Sequence, residues 1–206
     1  MGAISTFDLQ EIIDRFNTTV FIETGTLYGD GITYALKYNF DIIISIEIDK
    51  NLAEQAQNRF RSNSNVHIIH GDSKVVLQNI LPTINGNILF WLDAHFPGAD
   101  SGQTTYESCL SLPYNDRLPL EAELNIIKQS RLNKDVMICD DLWIYKDGTY
   151  GAGNIDDHAK RHNQNVTKLQ ISEGKDISFV STLYGDTHTF KEVYNHQGYL
   201  IILPKL

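Results

Sequence analysis

Cysteine is nearly absent from this chain: Cys109 and Cys139 are the only two in 206 residues. Two thiols cannot build a disulfide framework or a thiolate zinc site, and a reducing, cytoplasmic setting is the expectation. Long hydrophobic runs are missing too. No apolar stretch approaches the ~20 residues needed to span a bilayer, so no membrane partner is expected. The opening MGAISTFDLQEIIDRF has no basic segment followed by an apolar one, and no secretory signal is read there. Positive charge is scarce: 17 Lys and Arg stand against 26 Asp and Glu, a formal net charge of −9. Nucleic-acid binding draws on clustered Lys and Arg. Only RFR at 59–61 and AKRH at 159–162 are locally basic. Both read as solvated helix faces, and no nucleic-acid partner is expected.

What the chain does have is a series of short apolar runs that each end in a carboxylate. They are TVFIE (Glu23), IIISIE (Glu47), VHIIHGD (Asp72), ILFWLD (Asp93) and VMICDD (Asp140, Asp141). Helix-length amphipathic stretches separate most of them, the pattern of βαβ crossovers and of a parallel sheet buried on both faces. Ligands of such sheets bind at the carboxyl ends of the strands. A buried charge without a partner is costly, so acids at one strand end after another mark that edge as a site. The length suits one domain, residues 1–206, doubly wound α/β with a mostly parallel sheet.

Ser5 or Thr6 can cap a first helix in which Leu9, Ile12, Ile13 and Phe16 share one face. The turn ETGTLYGDG follows strand one and leads into a helix through about Leu36. Asp49 can cap NLAEQAQNRF, and Pro119 can open LEAELNIIKQS. Two irregular segments, from Phe96 to about Arg117 and WIYKDGTYGAGN, follow strands four and five; loops this long are usually functional. Their aromatic residues Tyr106, Tyr114, Trp143, Tyr145 and Tyr150 either line an acceptor pocket or pack as a lid. A polar helix is expected at about 156–169. His158 and His162 lie four apart on it, but with no HExxH glutamate an exposed face is expected. At the C-terminus, ISFVSTLYG, THTFKEVYN and YLIILPKL read as antiparallel strands at the sheet edge.

Gly25, Gly29 and Gly31 occupy the turn after strand one, spaced G-x-x-x-G-x-G, where backbone N–H groups and a helix N-terminus can face a ligand. Glu47, 22 positions after Gly25, lies near the place of a ribose-binding acid at the end of strand two. Asp72 and Ser73 fit helix capping and ligand contact equally. Here the chain resembles the class I S-adenosylmethionine-dependent methyltransferases over nearly its whole length. ETGTLYGDG looks like their first motif, with Leu27 at the usual second glycine; SIEID looks like the ribose segment and HGDS the adenine-side motif. The resemblance implies a Rossmann-like methyltransferase fold with an antiparallel last strand. It places Glu23, Thr24, Gly25, Thr26 and Gly29 in the cofactor loop, Glu47 on the ribose, and Asp72 with Ser73 near the adenine.

Asp93, Asp140 and Asp141 end neighbouring strands. Clustered carboxylates repel unless a cation or protons intervene, and oxygen ligands suit Mg²⁺, Mn²⁺ or Ca²⁺. Alternatively, one aspartate caps a helix and another pairs with Lys146 or Arg117. L-D-A-H followed by I-C-D-D is similar to the macrocin and novobiocin type of sugar O-methyltransferase. That resemblance implies Asp93, Asp140 and Asp141 as ligands of Mg²⁺ and His95 at the general-base position, with the alternatives that His95 supports a metal or is structural. The expected activity is metal-assisted methyl transfer to a hydroxyl of a small polar acceptor such as a sugar or glycoside. A metal-dependent hydrolase or nucleotide-using enzyme, and an inactive cofactor-binding module, stand beside it. A homo-oligomer is left open.

Overall fold

The computed structural model describes residues 3–132, 134–161 and 164–205. The chain runs α1 (Leu9–Phe16), β1 (Thr18–Thr24), α2 (Asp30–Ala35), β2 (Ile42–Glu47), α3 (Lys50–Phe60), β3 (Val66–His70), α4 (Ser73–Ile80) and β4 (Asn87–Leu92). Next come α5 (Tyr106–Cys109), α6 (Tyr114–Arg117), α7 (Leu120–Ser130) and β5 (Val136–Cys139). The remainder is α8 (Ile155–Arg161), α9 (Lys168–Ser172), α10 (Ser178–Tyr184), β6 (His188–Val193) and β7 (Tyr199–Pro204). The strands form one seven-stranded sheet in the order β3-β2-β1-β4-β5-β7-β6. All pairs from β3 to β5 are parallel, and β7 pairs antiparallel with both β5 and β6.

The apolar runs are continuous because both faces of the sheet are covered. Side chains alternate from face to face along a strand. Val20, Ile22, Ile44, Ile46, Phe90, Met137 and Ile202 enter one core with Leu77 of α4 and Leu124 of α7. Phe21, Ile43, Leu89, Trp91, Ile138 and Ile201 enter the other with Leu9 of α1, Ile32 of α2 and Phe60 of α3. Aspartates start three helices: Asp8, Asp49 and Asp72 accept the backbone N–H groups of Gln10, Leu52 and Lys74. The first cap is thus Asp8 and not Ser5 or Thr6, which lie in a short 3-10 turn, Ile4–Thr6.

Two further expectations change. ISFVSTLYG is largely helical, as α10, because its Val180 and Tyr184 are buried four residues apart on one helical face; the Tyr184 hydroxyl donates to the Leu124 carbonyl at 2.8 Å. The 156–169 region is not one helix. A capping box in which Thr167 and Gln170 satisfy each other's backbone N–H groups starts α9 separately.

The register of β5 against β4 rests on Asp135, which is buried. Its Oδ1 accepts the Ile88 N–H at 2.7 Å, and Arg131 donates to both carboxylate oxygens, Nε at 2.8 Å and a terminal nitrogen at 3.1 Å. The same guanidinium donates to the Ile84 carbonyl. Removing one partner of such a pair leaves a buried charge uncompensated, so Asp135→Ala should lower unfolding stability by about 3 kcal/mol or more. Urea denaturation measures it; a loss under ~1 kcal/mol, the range of an exposed pair, would show that the pair does not hold this register.

Candidate active site

The carboxyl edge of the sheet opens into a cavity of about 780 Å³, within the range of small-molecule sites. It lies where the strand order reverses, with β1 between β2 and β4. Gly25, Glu47, Asp72, Ser73, Asp93, His95, Asp140 and Asp141 all line it. Residues more than a hundred positions apart are joined here because each follows a strand of the same parallel set.

Gly25 begins the loop after β1 with φ +86°, and a Cβ there would come within 2.8 Å of the Asp93 carbonyl oxygen. The loop lies so close to the end of β4 that only glycine fits. Leu27, at the position where the resemblance leads one to look for a second glycine, has φ +46°. Its N–H donates to Glu47 Oε2 at 2.8 Å, while Asp49 N–H donates to Oε1 at 2.9 Å. Glu47 is only 6 % exposed, and those two donors satisfy one lone pair on each oxygen, leaving others for hydroxyl groups in the cavity.

Glu23, Thr24, Thr26 and Gly29 do not line the cavity. For the two strand residues the cause is alternation along β1: Glu23 turns under α2, where a Cβ on Gly31 would sit 1.8 Å from its Oε1. Ser45 donates to Glu23 Oε2 at 2.6 Å and also lies 2.6 Å from the Thr26 hydroxyl. Thr24 turns the other way, toward Glu123 on α7, and Gly29 faces the ring of Phe60. These residues shape the loop from behind. Asp72 both caps α4 and lines the cavity, with Lys74 Nζ 3.2 Å from its Oδ2 and 2.8 Å from Asp116 Oδ1.

The cavity is also lined by a cluster around His95. Its Nε2 is 2.6 Å from Asp141 Oδ2 and 3.2 Å from Asp93 Oδ1, and Nδ1 faces Asp100 Oδ2 at 3.6 Å. Trp91 Nε1 donates to Asp93 Oδ2 at 3.3 Å, and Tyr106 donates to Asp100 at 2.8 Å. Burial opposes charge on the ring, but the Asp141 carboxylate, the hydrogen bonds to Asp141 and Asp93 and the charge of Asp100 outweigh it. His95 is held well above the ordinary 6.5. Burial raises Asp93 against the pull of its hydrogen bond from His95. Burial, then repulsion from Asp93 and Asp141, raises Asp140 well above 3.8. The Asp140 Oδ1 accepts the Asp141 N–H at 2.8 Å.

The expected Mg²⁺ set is Asp93, Asp140 and Asp141. An oxygen-bound divalent ion needs its ligands around one shared point at about 2.0–2.6 Å. In this arrangement a ring nitrogen stands between Asp93 and Asp141, and among the described residues no three His, Cys, Asp or Glu side chains are grouped to hold an ion. The donor set as arranged does not fit the metal. Neither expected counter-ion pairs with these aspartates: Lys146 binds Glu192, and Arg117 binds Glu173.

Of the loop aromatics, Tyr106 and Trp143 line the cavity; Tyr145 and Tyr150 are buried in the core, and the ring of Tyr114 lies against Arg117 and Lys175. His158 does not lie on a merely exposed face. Its ring packs 5.3 Å from Trp143 and borders the cavity; His162 lies outside the described residues. Asp100 and Gln197 were not singled out from the sequence. Asp100 sits in an irregular loop with no spacing signal, and Gln197 arrives from the β6–β7 turn, whose carbonyl accepts the Trp143 N–H at 3.0 Å. No helix among the described residues is long and apolar enough to cross a membrane.

No protein-family model matches this chain, and no curated protein sequence does. Solved structures do. A Staphylococcus aureus protein assigned provisionally to the caffeoyl-CoA O-methyltransferases is 13% identical, with TM-score 0.61 over 100% of this chain and 85% of that one. An O-methyltransferase from Bacillus cereus, solved in complex with SAH, is 15% identical, with TM-score 0.55 over 96% and 79%. A SAM-dependent methyltransferase from Anabaena variabilis is 11% identical, with TM-score 0.53 over 98% and 86%. At such identities the likeness establishes the fold, a Rossmann-like methyltransferase fold.

The buried Glu23 generates a prediction about pH. Burial, only partly offset by the Ser45 hydrogen bond, pushes its carboxyl up from 4.5 to about 8. The folded chain therefore keeps a proton that the unfolded chain releases. This contribution to stability is complete below the unfolded value and is lost as pH rises through about 8. Glu23→Gln, which mimics the protonated acid, should match the wild type near pH ~4 and exceed it near pH ~9 by on the order of a few kcal/mol in chemical denaturation. Equal stabilities at the two pH values would mean that Glu23 ionises in place without cost.

Proposed function

We propose that this chain is an S-adenosylmethionine-dependent O-methyltransferase acting on a hydroxyl of a small polar molecule, such as a sugar or glycoside. The observation that carries the reading is one cavity lined by two chemically distinct groups. The Gly25 loop and the doubly anchored Glu47 form one, and the Asp93–His95–Asp141 cluster, which adjoins Gly25 through the Asp93 backbone, forms the other. The fold shared with methyltransferases of known structure agrees with it.

The bound cofactor would supply an electrophilic methyl group on a sulfonium. This chain's residues would do the rest. Glu47 would accept hydrogen bonds from ribose hydroxyls, Asp72 and Ser73 would border the adenine, and the Gly25 backbone would allow close approach. Beside the cluster the cavity is bordered by Trp143 and Gln197, side chains that suit a polar acceptor.

The histidine is better suited to orienting than to taking the proton. A ring held in its charged form between two carboxylates has no free lone pair, so we assign the proton to a carboxylate of the cluster. Asp93, 27 % exposed against 11 % for Asp141, is the more accessible one, and its raised pKa makes it a better base than an ordinary aspartate. Such transfer is typically worth about 10²- to 10⁴-fold; aligning the hydroxyl with the methyl group supplies much of the remainder. The Mg²⁺ implied by the sequence resemblance has no step here, because its ligand set does not fit as arranged.

Calorimetric titration of S-adenosylhomocysteine into the purified protein tests the cofactor site. Micromolar binding is expected, weakened at least about tenfold in Glu47→Ala, the scale of losing a hydrogen bond to a charged group. No binding by the wild type would sink the reading and return these acids to a hydrolytic or nucleotide-using role.

A further inference from the structure

The cluster around His95 is a ring of carboxylates with a histidine in the middle. Asp93 follows β4, Asp141 follows β5, and Asp100 lies in the loop between β4 and α5. Each aims an oxygen at the same imidazole, at 3.2, 2.6 and 3.6 Å. Ionised carboxylates only accept hydrogen bonds, so a ring with both nitrogens facing carboxylate oxygens is suited as a two-proton donor. Nδ1 has no hydrogen-bond partner and is sealed from solvent. The ring edge packs against Phe96, with centroids 5.6 Å apart, and the imidazole is only 14 % exposed. It is packed as part of the site.

Clustered carboxylates need protons or a cation among them. A cation can come from solution or from a side chain of the chain itself. The 2.6 Å contact between Nε2 and Asp141 leaves no room for an ion between them, and Asp140 spends one oxygen on the backbone of Asp141.

We propose that His95 takes the place of a divalent cation in this cluster: its ring is the positive charge that holds Asp93 and Asp141 together, and the wild-type site takes up no metal. The inference stands on the cluster alone and does not depend on the cofactor reading. It makes His95 a positioning residue, which keeps Asp93 and Asp141 facing the cavity.

Mn²⁺ is the probe, because the electron paramagnetic resonance signal of the free ion falls when the ion is bound. The full-length wild type, Asp93→Asn, His95→Ala and His95→Ala/Asp93→Asn are titrated without cofactor. The wild type should leave the signal at its buffer intensity. His95→Ala, with the ring gone and the carboxylates exposed to one another, should bind one Mn²⁺ per chain at least about tenfold more tightly than the wild type, and adding Asp93→Asn should abolish that binding. Thermal melts followed by circular dichroism confirm that each variant is folded. One Mn²⁺ bound by the wild type and lost in Asp93→Asn would overturn the proposal, and this arm holds even if His95→Ala fails to fold. Folded His95→Ala that binds Mn²⁺ no better than the wild type would overturn it equally, since the ring would then occupy no cation's place. A failure here leaves the S-adenosylhomocysteine titration untouched, so the two readings fall separately.

Discussion

A carboxylate buried at the end of a strand costs several kcal/mol unless donors or a cation reach it, and the carboxyl edge of this sheet is organised by how each acid meets that demand. Glu47 takes two backbone N–H groups and thereby ties the β1 loop to the start of α3. Asp72 takes the first turn of α4 and Lys74. Glu23 takes the Ser45 hydroxyl, which offsets its burial only in part, and burial drives it toward the protonated form. Asp93 and Asp141 share His95. The loops follow these pairings, and the cavity is the space between them.

The two groups of acids along that cavity are compensated differently. Backbone donors around Glu47 are fixed by the main chain and leave lone pairs on both oxygens. Around His95 the compensation is a side chain held by three carboxylates, and the balance of protons is shared within the cluster.

Much of this was legible in the primary structure. The strands ending at Glu47, Asp93 and Asp140, the cap at Asp49 and the antiparallel last strand all follow from local patterns, and each is present. The failures are equally local in cause. ISFVSTLYG has β-branched residues that suit a strand, yet packing of Val180 and Tyr184 into the core beside α7 makes it a helix. Glu23 and Thr24, which the resemblance places in the cofactor loop with Gly25, alternate along β1 to opposite faces and do not line the cavity.

What the chain's sequence determined by itself is the period of its apolar residues and the position of an acid after each run. Both depend on near neighbours, and they suffice for a doubly wound sheet with a site along its carboxyl edge. Which acids meet, and what neutralises them, was decided by tertiary structure alone. His95 reaches Asp141 across 46 positions, and Gln197 reaches the cavity from the last hairpin, only because β4, β5 and β7 lie side by side. The distance between two charges in space sets their energy, and spacing along a chain carries no record of that distance.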